Sequence, residues 1–152
     1  MSRIYTNDGV IIAKVMRDHL NTWENKPAEF KLEKLEDEAP CLMIQQMASA
    51  EKKTSYVDGS YIGVWNFTIY VRVNGEDTAS RLDAFGVLDD INAWFSKRNE
   101  NGSLINLPEI DENRNATKIE MLTTPSLAAR YGDGTEDYQA VFSLEYKVRR
   151  KT

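Results

Sequence analysis

The sequence contains one cysteine, one histidine and only four prolines. A lone Cys41 excludes an intramolecular disulfide and a cysteine-based zinc site, and its place in a short apolar run leads us to expect a buried, reduced thiol and an intracellular origin. Long apolar runs are missing as well. Nothing approaches the ~18 residues needed to span a membrane, and Thr6-Asn7-Asp8 interrupts the start before an export signal could develop. We therefore expect neither export nor membrane insertion. Positive charge is in deficit, with 19 Lys and Arg against 24 Asp and Glu and a net charge of -5. That balance argues against a broad phosphate-neutralising surface, so specific nucleic-acid binding is not expected. There is no low-complexity tract, and no internal repeat stands out beyond a similar order of elements in the two halves.

What is present is the composition of a folded domain. The chain has 152 residues, of which 41% are hydrophobic and 28% charged. A chain of this length buries roughly 70% of its unfolded surface, enough for one independent core, so a single domain over residues 1–152 is expected.

Between Val10 and Trp23, Ile12, Val15, Met16, Leu20 and Trp23 recur at helical spacing, with Asn7 or Asp8 as N-cap and Pro27 beyond. Glu29 to Glu38 is acidic and reads as a solvated connection. Cys41 to Met47 suits a first strand. After the turn signal Asp58-Gly59, Ile62 to Val73 alternates, with Trp65, Phe67, Ile69, Val71 and Val73 on one face. Leu82, Phe85, Leu88, Ile91, Trp94 and Phe95 then stripe a second helix from about Asp77 to Arg98, with Asp77 or Thr78 as its cap. Lys118 to Thr123 forms a short strand closed by Thr124-Pro125. A final strand carries Tyr138, Ala140, Phe142, Leu144, Tyr146 and Val148 on one side. The expected fold is α+β in two layers, with about four strands, mainly antiparallel, packed against two helices in the order α-β-β-α-β-β. Polar loops are expected near 49–60, 99–117 and 127–136.

A search for chemistry finds ordinary explanations. His19 shares a helical face with Val15, Met16 and Trp23, and no nucleophile has a visible reason to meet it, so a packed histidine is the expected state. Several of Asp58, Asp83, Asp89, Asp90, Glu109 and Asp111 would have to converge to hold a divalent cation for a metal-dependent hydrolase or nuclease, yet Asp83 and Asp90 lie where solvated charges belong. Gly132-Asp133-Gly134 has no helix after it to supply phosphate-binding amides and reads as a hairpin turn. The basic tail Lys147, Arg149, Arg150 and Lys151 is expected to be solvated. A small-ligand-binding module built on Trp65 and Trp94 would need a deep apolar pocket, whereas large residues at this spacing usually form core. No catalytic, cofactor-binding or metal-binding residue is assigned, and no cofactor is expected.

Three stretches carry a resemblance. They are Asp58-Gly59-Ser60 running into Trp65-Asn66-Phe67-Thr68-Ile69-Tyr70-Val71-Arg72-Val73; Ser80-Arg81-Leu82-Asp83-Ala84 continuing to Leu88-Asp89 and Ala93-Trp94-Phe95; and Thr124-Pro125-Ser126-Leu127 with Gly134-Thr135-Glu136-Asp137-Tyr138-Gln139-Ala140 and Leu144-Glu145-Tyr146-Lys147. Together they resemble the minor capsid family of siphophages and prophages, which is similar to tail-terminator proteins. The resemblance covers about Met1 to Arg150. It implies a bacteriophage structural protein without catalytic residues, whose copies form a hexameric ring on the upper end of the tail tube, stop tube growth and receive the head-completion proteins. A head-to-tail connector component is the alternative within virion assembly. The implied location is the host cytoplasm during assembly and then the tail-head junction. Its implied partners are itself, the tail tube protein and a head-completion or connector protein, with DNA passing through an acidic ring without specific binding. The three polar loops are the expected interfaces, since mobile segments can order on assembly.

Overall fold

The structure is a computed structural model that describes residues 8–24, 26–33, 41–47, 51–74, 78–100 and 114–149. Helix α1 (Asp8–Leu20) opens on an acidic residue and closes on Arg17 and His19, charges that suit the ends of the helix dipole. It stops three residues before the expected Trp23, because Thr22 N–H and Trp23 N–H donate to the carbonyls of His19 and Leu20 at 3.0 Å each, tightening the last turn. Four strands follow: β1 (Phe30–Leu32), β2 (Cys41–Gln46), β3 (Glu51–Ser55) and β4 (Tyr61–Asn74). Helix α2 (Thr78–Glu100) precedes β5 (Arg114–Met121), β6 (Ser126–Arg130) and β7 (Thr135–Val148).

These strands make one seven-stranded sheet in the order β1-β2-β4-β7-β5, with β3 added to β4 and β6 added to β7. The β1–β2 pair is parallel and the others antiparallel, so the sheet is mixed. This corrects the expectation of about four strands in the order α-β-β-α-β-β. The two central strands are each 14 residues long and pair along their whole length, but a shorter strand on each outer side is succeeded by a second short one. Pro125, which has no N–H for a ladder, lies between β5 and β6. The segments expected as loops near 49–60 and 127–136 contain β3 and β6, and the acidic stretch Glu29 to Glu38 contains β1, anchored by the buried Phe30. Of the expected loop at 99–117, residues 99–100 close α2 and 114–117 open β5; residues 101–113 lie outside the described residues, as do Asn7 and Asp77.

Trp65, Phe67, Ile69 and Val71 of β4 and Tyr138, Ala140, Phe142, Leu144 and Tyr146 of β7 are buried on one face. Ala13, Met16 and Leu20 of α1 and Leu88, Ile91 and Phe95 of α2 join them in one core.

The two halves also repeat, contrary to the sequence expectation, with an offset of 75 residues (56 to 131, 59 to 134). Tyr56-Val57-Asp58-Gly59-Ser60 corresponds to Tyr131-Gly132-Asp133-Gly134-Thr135. In β3–β4, Glu51 pairs with Val64 and Ser55 with Tyr61, with a register shift between Lys52 and Thr54. In β6–β7, Ser126 pairs with Gln139 and Arg130 with Glu136, with the equivalent shift between Leu127 and Ala129. The buried helix residues Ala13, Met16 and Leu20 match Leu88, Ile91 and Phe95 at the same offset. Phe67 is paired directly with Phe142, its own counterpart. His19 and Trp94, also counterparts, meet in the helix layer with rings 5.0 Å apart. Both pairs mark a local two-fold axis running through the sheet and between the helices.

Candidate assembly surface

The repeat places one hairpin at each of two diagonally opposite corners of the sheet. In the β3–β4 hairpin, Tyr56 N–H donates to Ser60 O at 2.9 Å and Gly59 N–H to Tyr56 O at 3.0 Å. Asp58 Oδ1 accepts from Ser60 N–H at 2.9 Å and from Ser60 Oγ at 2.6 Å. The β6–β7 hairpin repeats each bond: Tyr131 N–H to Thr135 O at 2.9 Å and Gly134 N–H to Tyr131 O at 3.1 Å, with Asp133 Oδ1 accepting from Thr135 N–H at 3.0 Å and Thr135 Oγ1 at 2.7 Å. Gly59 and Gly134 have φ of 91° and 94°, a left-handed conformation that glycine adopts without Cβ strain. Hydrogen bonds from Ser60 hold the Asp58 carboxyl below its ordinary pKa, and those from Thr135 do the same for Asp133. Both tips are therefore fixed turns.

Each tip tyrosine is also covered by a cation from the other half. Arg72 lies over the Tyr131 ring at 5.0 Å, and its counterpart Lys147 over Tyr56 at 6.0 Å. At the Tyr131 corner Arg72 forks onto Asp137, with Nε–Oδ1 at 2.8 Å and Nη2–Oδ2 at 3.0 Å. Tyr131 donates its hydroxyl to Asp137 Oδ2 at 2.7 Å. The bond to the Asp137 carboxylate raises the pKa of both Arg72 and Tyr131, because each donates in its protonated form. Arg130 pairs with the buried Glu136, which raises the Arg130 pKa, and Tyr138 donates to Glu136 Oε1 at 3.1 Å.

Large exposed apolar residues gather along these two edges. Met47, Tyr56 and Val57 flank β3, and Val57 stands fully in solvent at 106% relative exposure. Leu122, Leu127 and Tyr131 lie along β6. Only Leu82, among the described large apolar side chains that are exposed, lies elsewhere. Met47 and Tyr56 correspond to Leu122 and Tyr131 in the repeat, whereas Lys52 and Lys53 of β3 stand where β6 has Leu127 and Ala128. A shallow groove of about 470 Å³ beside the first tip is lined by Tyr56, Val57, Asp58, Ser60 and Lys147.

At the sheet end near Ser60, but within the core, Asp8 is almost fully buried and accepts from the hydroxyls of Tyr61 at 2.6 Å and Tyr146 at 2.9 Å, and from Arg114. Burial pushes the Asp8 carboxyl up, but the bonds from Tyr61, Arg114 and Tyr146 and the Arg114 charge outweigh it, leaving the pKa below its ordinary value. These contacts tie α1 to β4, β5 and β7.

The residues weighed for chemistry are dispersed. His19 packs on Trp94. Asp58 serves its turn, while Asp83, Asp89 and Asp90 are exposed along α2. Glu109, Asp111, Arg150 and Lys151 lie outside the described residues. Among the described residues no three His, Cys, Asp or Glu side chains are grouped to hold a metal ion. Trp65 is fully buried in the core and donates its indole N–H to Gln46 Oε1 at 2.8 Å. Cys41 is buried. Gly132-Asp133-Gly134 forms the tip of the second hairpin. No described helix is long and apolar enough to cross a membrane. Tyr56, Val57, Leu127 and Tyr131 fall within the ranges 49–60 and 127–136 expected as interfaces, though the sequence marks none of them as an exposed apolar edge; the Tyr-x-Asp-Gly-Ser/Thr motif recurring at 75 residues is the available signal. Comparison with models of known protein families and with curated proteins returns no match.

Proposed function

We propose that the chain is a structural protein of a long-tailed bacteriophage virion, a tail terminator whose copies close into a ring on the tail tube and join it to the head-completion complex. One observation carries the reading furthest: the exposed apolar side chains lie on two separate and unlike edges of one sheet, with Met47, Tyr56 and Val57 on one and Leu122, Leu127 and Tyr131 on the other. A closed ring requires each copy to present two different complementary patches, since one self-complementary patch yields only dimers. Rigid turns beneath the apolar tips support this use, because little conformational entropy is lost when such tips are buried. The resemblance of the sequence to the minor capsid family supplies the biological setting. In that role the subunit works without catalysis, first in the host cytoplasm and then at the tail-head junction. The net charge of -5 suits a channel that DNA crosses without adhering.

The test is polymerisation of a purified tail tube protein with and without the chain, with tube lengths measured by electron microscopy. Capped and shortened tubes are expected. Unchanged lengths and bare ends, at a ratio sufficient to cover every tube end, overturn the reading; binding to portal-side proteins alone would reassign the chain to the connector.

A further inference from the structure

The internal repeat gives each edge an internal control. Strands β3 and β6 occupy equivalent positions, pair with equivalent residues and carry a register shift at the same place. Among the described residues neither has a strand on its outer side. An open strand edge is a template for another chain, and charges or a bulge on it narrow the partners that can pair with it. β3 carries Lys52 and Lys53; β6 at the same positions carries Leu127 and Ala128. The two edges are thus built alike and dressed differently.

We propose that β6 of one copy adds to the sheet of the next by pairing antiparallel with its β3, and that this strand exchange is the subunit contact of the ring. The inference rests on the ring reading and names the surface that makes it. Because the two edges run in opposite directions within one sheet, copies in the same orientation, displaced along the strands by the distance between the two corners, bring β6 and β3 together antiparallel. Aligning the two register shifts sets Ala128 against Lys53 and Ala129 against Lys52, small residues that leave room for the lysine stems. The same register sets Arg130 against Glu51, an opposite-charge cross-strand pair. Beyond the strand ends, Tyr131 meets the neighbourhood of Met47, and Leu122 that of Tyr56 and Val57, so apolar residues exposed in the single chain cover one another. A β3–β3 contact in the equivalent register would oppose Lys53 to the next copy's Lys53, which like charge disfavours. A β6–β6 contact would leave Met47, Tyr56 and Val57 uncovered. The head-to-tail pairing alone uses both edges, and repeated with a rotation that returns to the first copy it makes a ring rather than a filament.

Two variants test this, Lys53→Cys and Ala128→Cys; the native Cys41 is buried and stays in place. Mixed under oxidising conditions they are expected to give a cross-linked dimer far in excess of that from either variant alone. Oligomers that form without the mixed cross-link, or in which one variant cross-links to itself equally well, overturn the strand pairing and leave the ring reading standing. Sedimentation of the wild-type chain separates the two failures, because a strict monomer at every concentration overturns both. The double variant Leu127→Lys/Ala128→Lys copies onto β6 the residues that β3 already accommodates, so its fold is retained. It is expected to remain monomeric where the wild type assembles, and assembly equal to the wild type overturns the proposal.

Discussion

Phe67 and Phe142 stack with ring centroids 5.6 Å apart and 18° between planes, directly opposite each other at the centre of the β4–β7 pair. Each is the other's counterpart in the repeat, so the seam between the halves is held by the same side chain given twice. Trp65 continues the stack on Phe67 at 4.8 Å, and Phe95 meets Phe142 edge-on at 5.5 Å. Phe67→Leu and Phe142→Leu should each destabilise the fold, and a double-mutant cycle in urea should return a coupling of about 0.5–1.5 kcal/mol, the scale of an aromatic pair beyond its buried area. Additive losses would show that the contact has no value of its own.

Asp8 makes stability acid-sensitive. Its folded pKa lies below the ordinary carboxyl value, so its contribution is fully present above the unfolded carboxyl pKa of about 3.9 and is lost as pH falls through the lower folded value. Asp58 and Asp133, also lowered, add in the same direction. Asp8→Asn breaks a buried ion pair and should cost about 3 kcal/mol at neutral pH. Its denaturation midpoint should then fall less steeply between pH 5 and pH 2 than that of the wild type, as read by chemical denaturation across that range.

Gly63 is required for the same network. A Cβ at this position would lie 2.3 Å from Tyr146 Cζ and 2.5 Å from its hydroxyl oxygen. Gly63→Ala should therefore destabilise by about 1–3 kcal/mol through overpacking and displace the Tyr146 hydroxyl from Asp8. Combined with Tyr146→Ala, which removes the ring carbons as well as the hydroxyl, the glycine substitution should cost less than it does alone.

Asn66 Oδ1 is buried without a hydrogen-bond partner among the described residues, whereas its repeat counterpart is Val141. Copying the second half onto the first by Asn66→Val removes the unsatisfied acceptor and favours the strand, so a gain of about 1 kcal/mol is expected in urea denaturation. A loss would mean that the amide serves the fold through its nitrogen.

Val57 contributes nothing to the core. Val57→Ser should leave monomer stability within about 0.5 kcal/mol while weakening self-association in sedimentation velocity. A drop in thermal stability with unchanged association would reverse the assignment.

The long elements were legible because burial wrote their period into the side chains. β4 and β7 place apolar residues on every second position of a face that the helices cover, and Ala13, Met16 and Leu20 mark the buried side of α1. β3 and β6 were not legible. Glu51-Lys52-Lys53-Thr54-Ser55 has no apolar alternation, and it becomes a strand because the first residues of β4 offer it a ladder. β1 is only three residues long, and Phe30 is its sole fully buried side chain amid charged neighbours. The repeat is faint in the sequence because even buried positions diverge in size, with Trp65 matched to Ala140 and Gly63 to Tyr138. The tip motif kept its identity because the turn geometry demands Asp, Gly and a hydroxyl at fixed places. Of the three ranges expected as polar loops, 49–60 and 127–136 hold the exposed hairpin tips, set on strands, while most of 99–117 lies outside the described residues.

Joining the halves in one chain has a consequence for polarity. Two separate copies of one half meeting along a seam like β4–β7 would part on dilution, and any substitution in one would appear in the other. A covalent link holds the second half at an effective concentration on the order of millimolar whatever the amount of protein present. It also lets β6 carry Leu127 where β3 carries Lys52. A symmetric pair has no front or back; this chain, having broken the likeness of its edges while keeping the likeness of its core, has both.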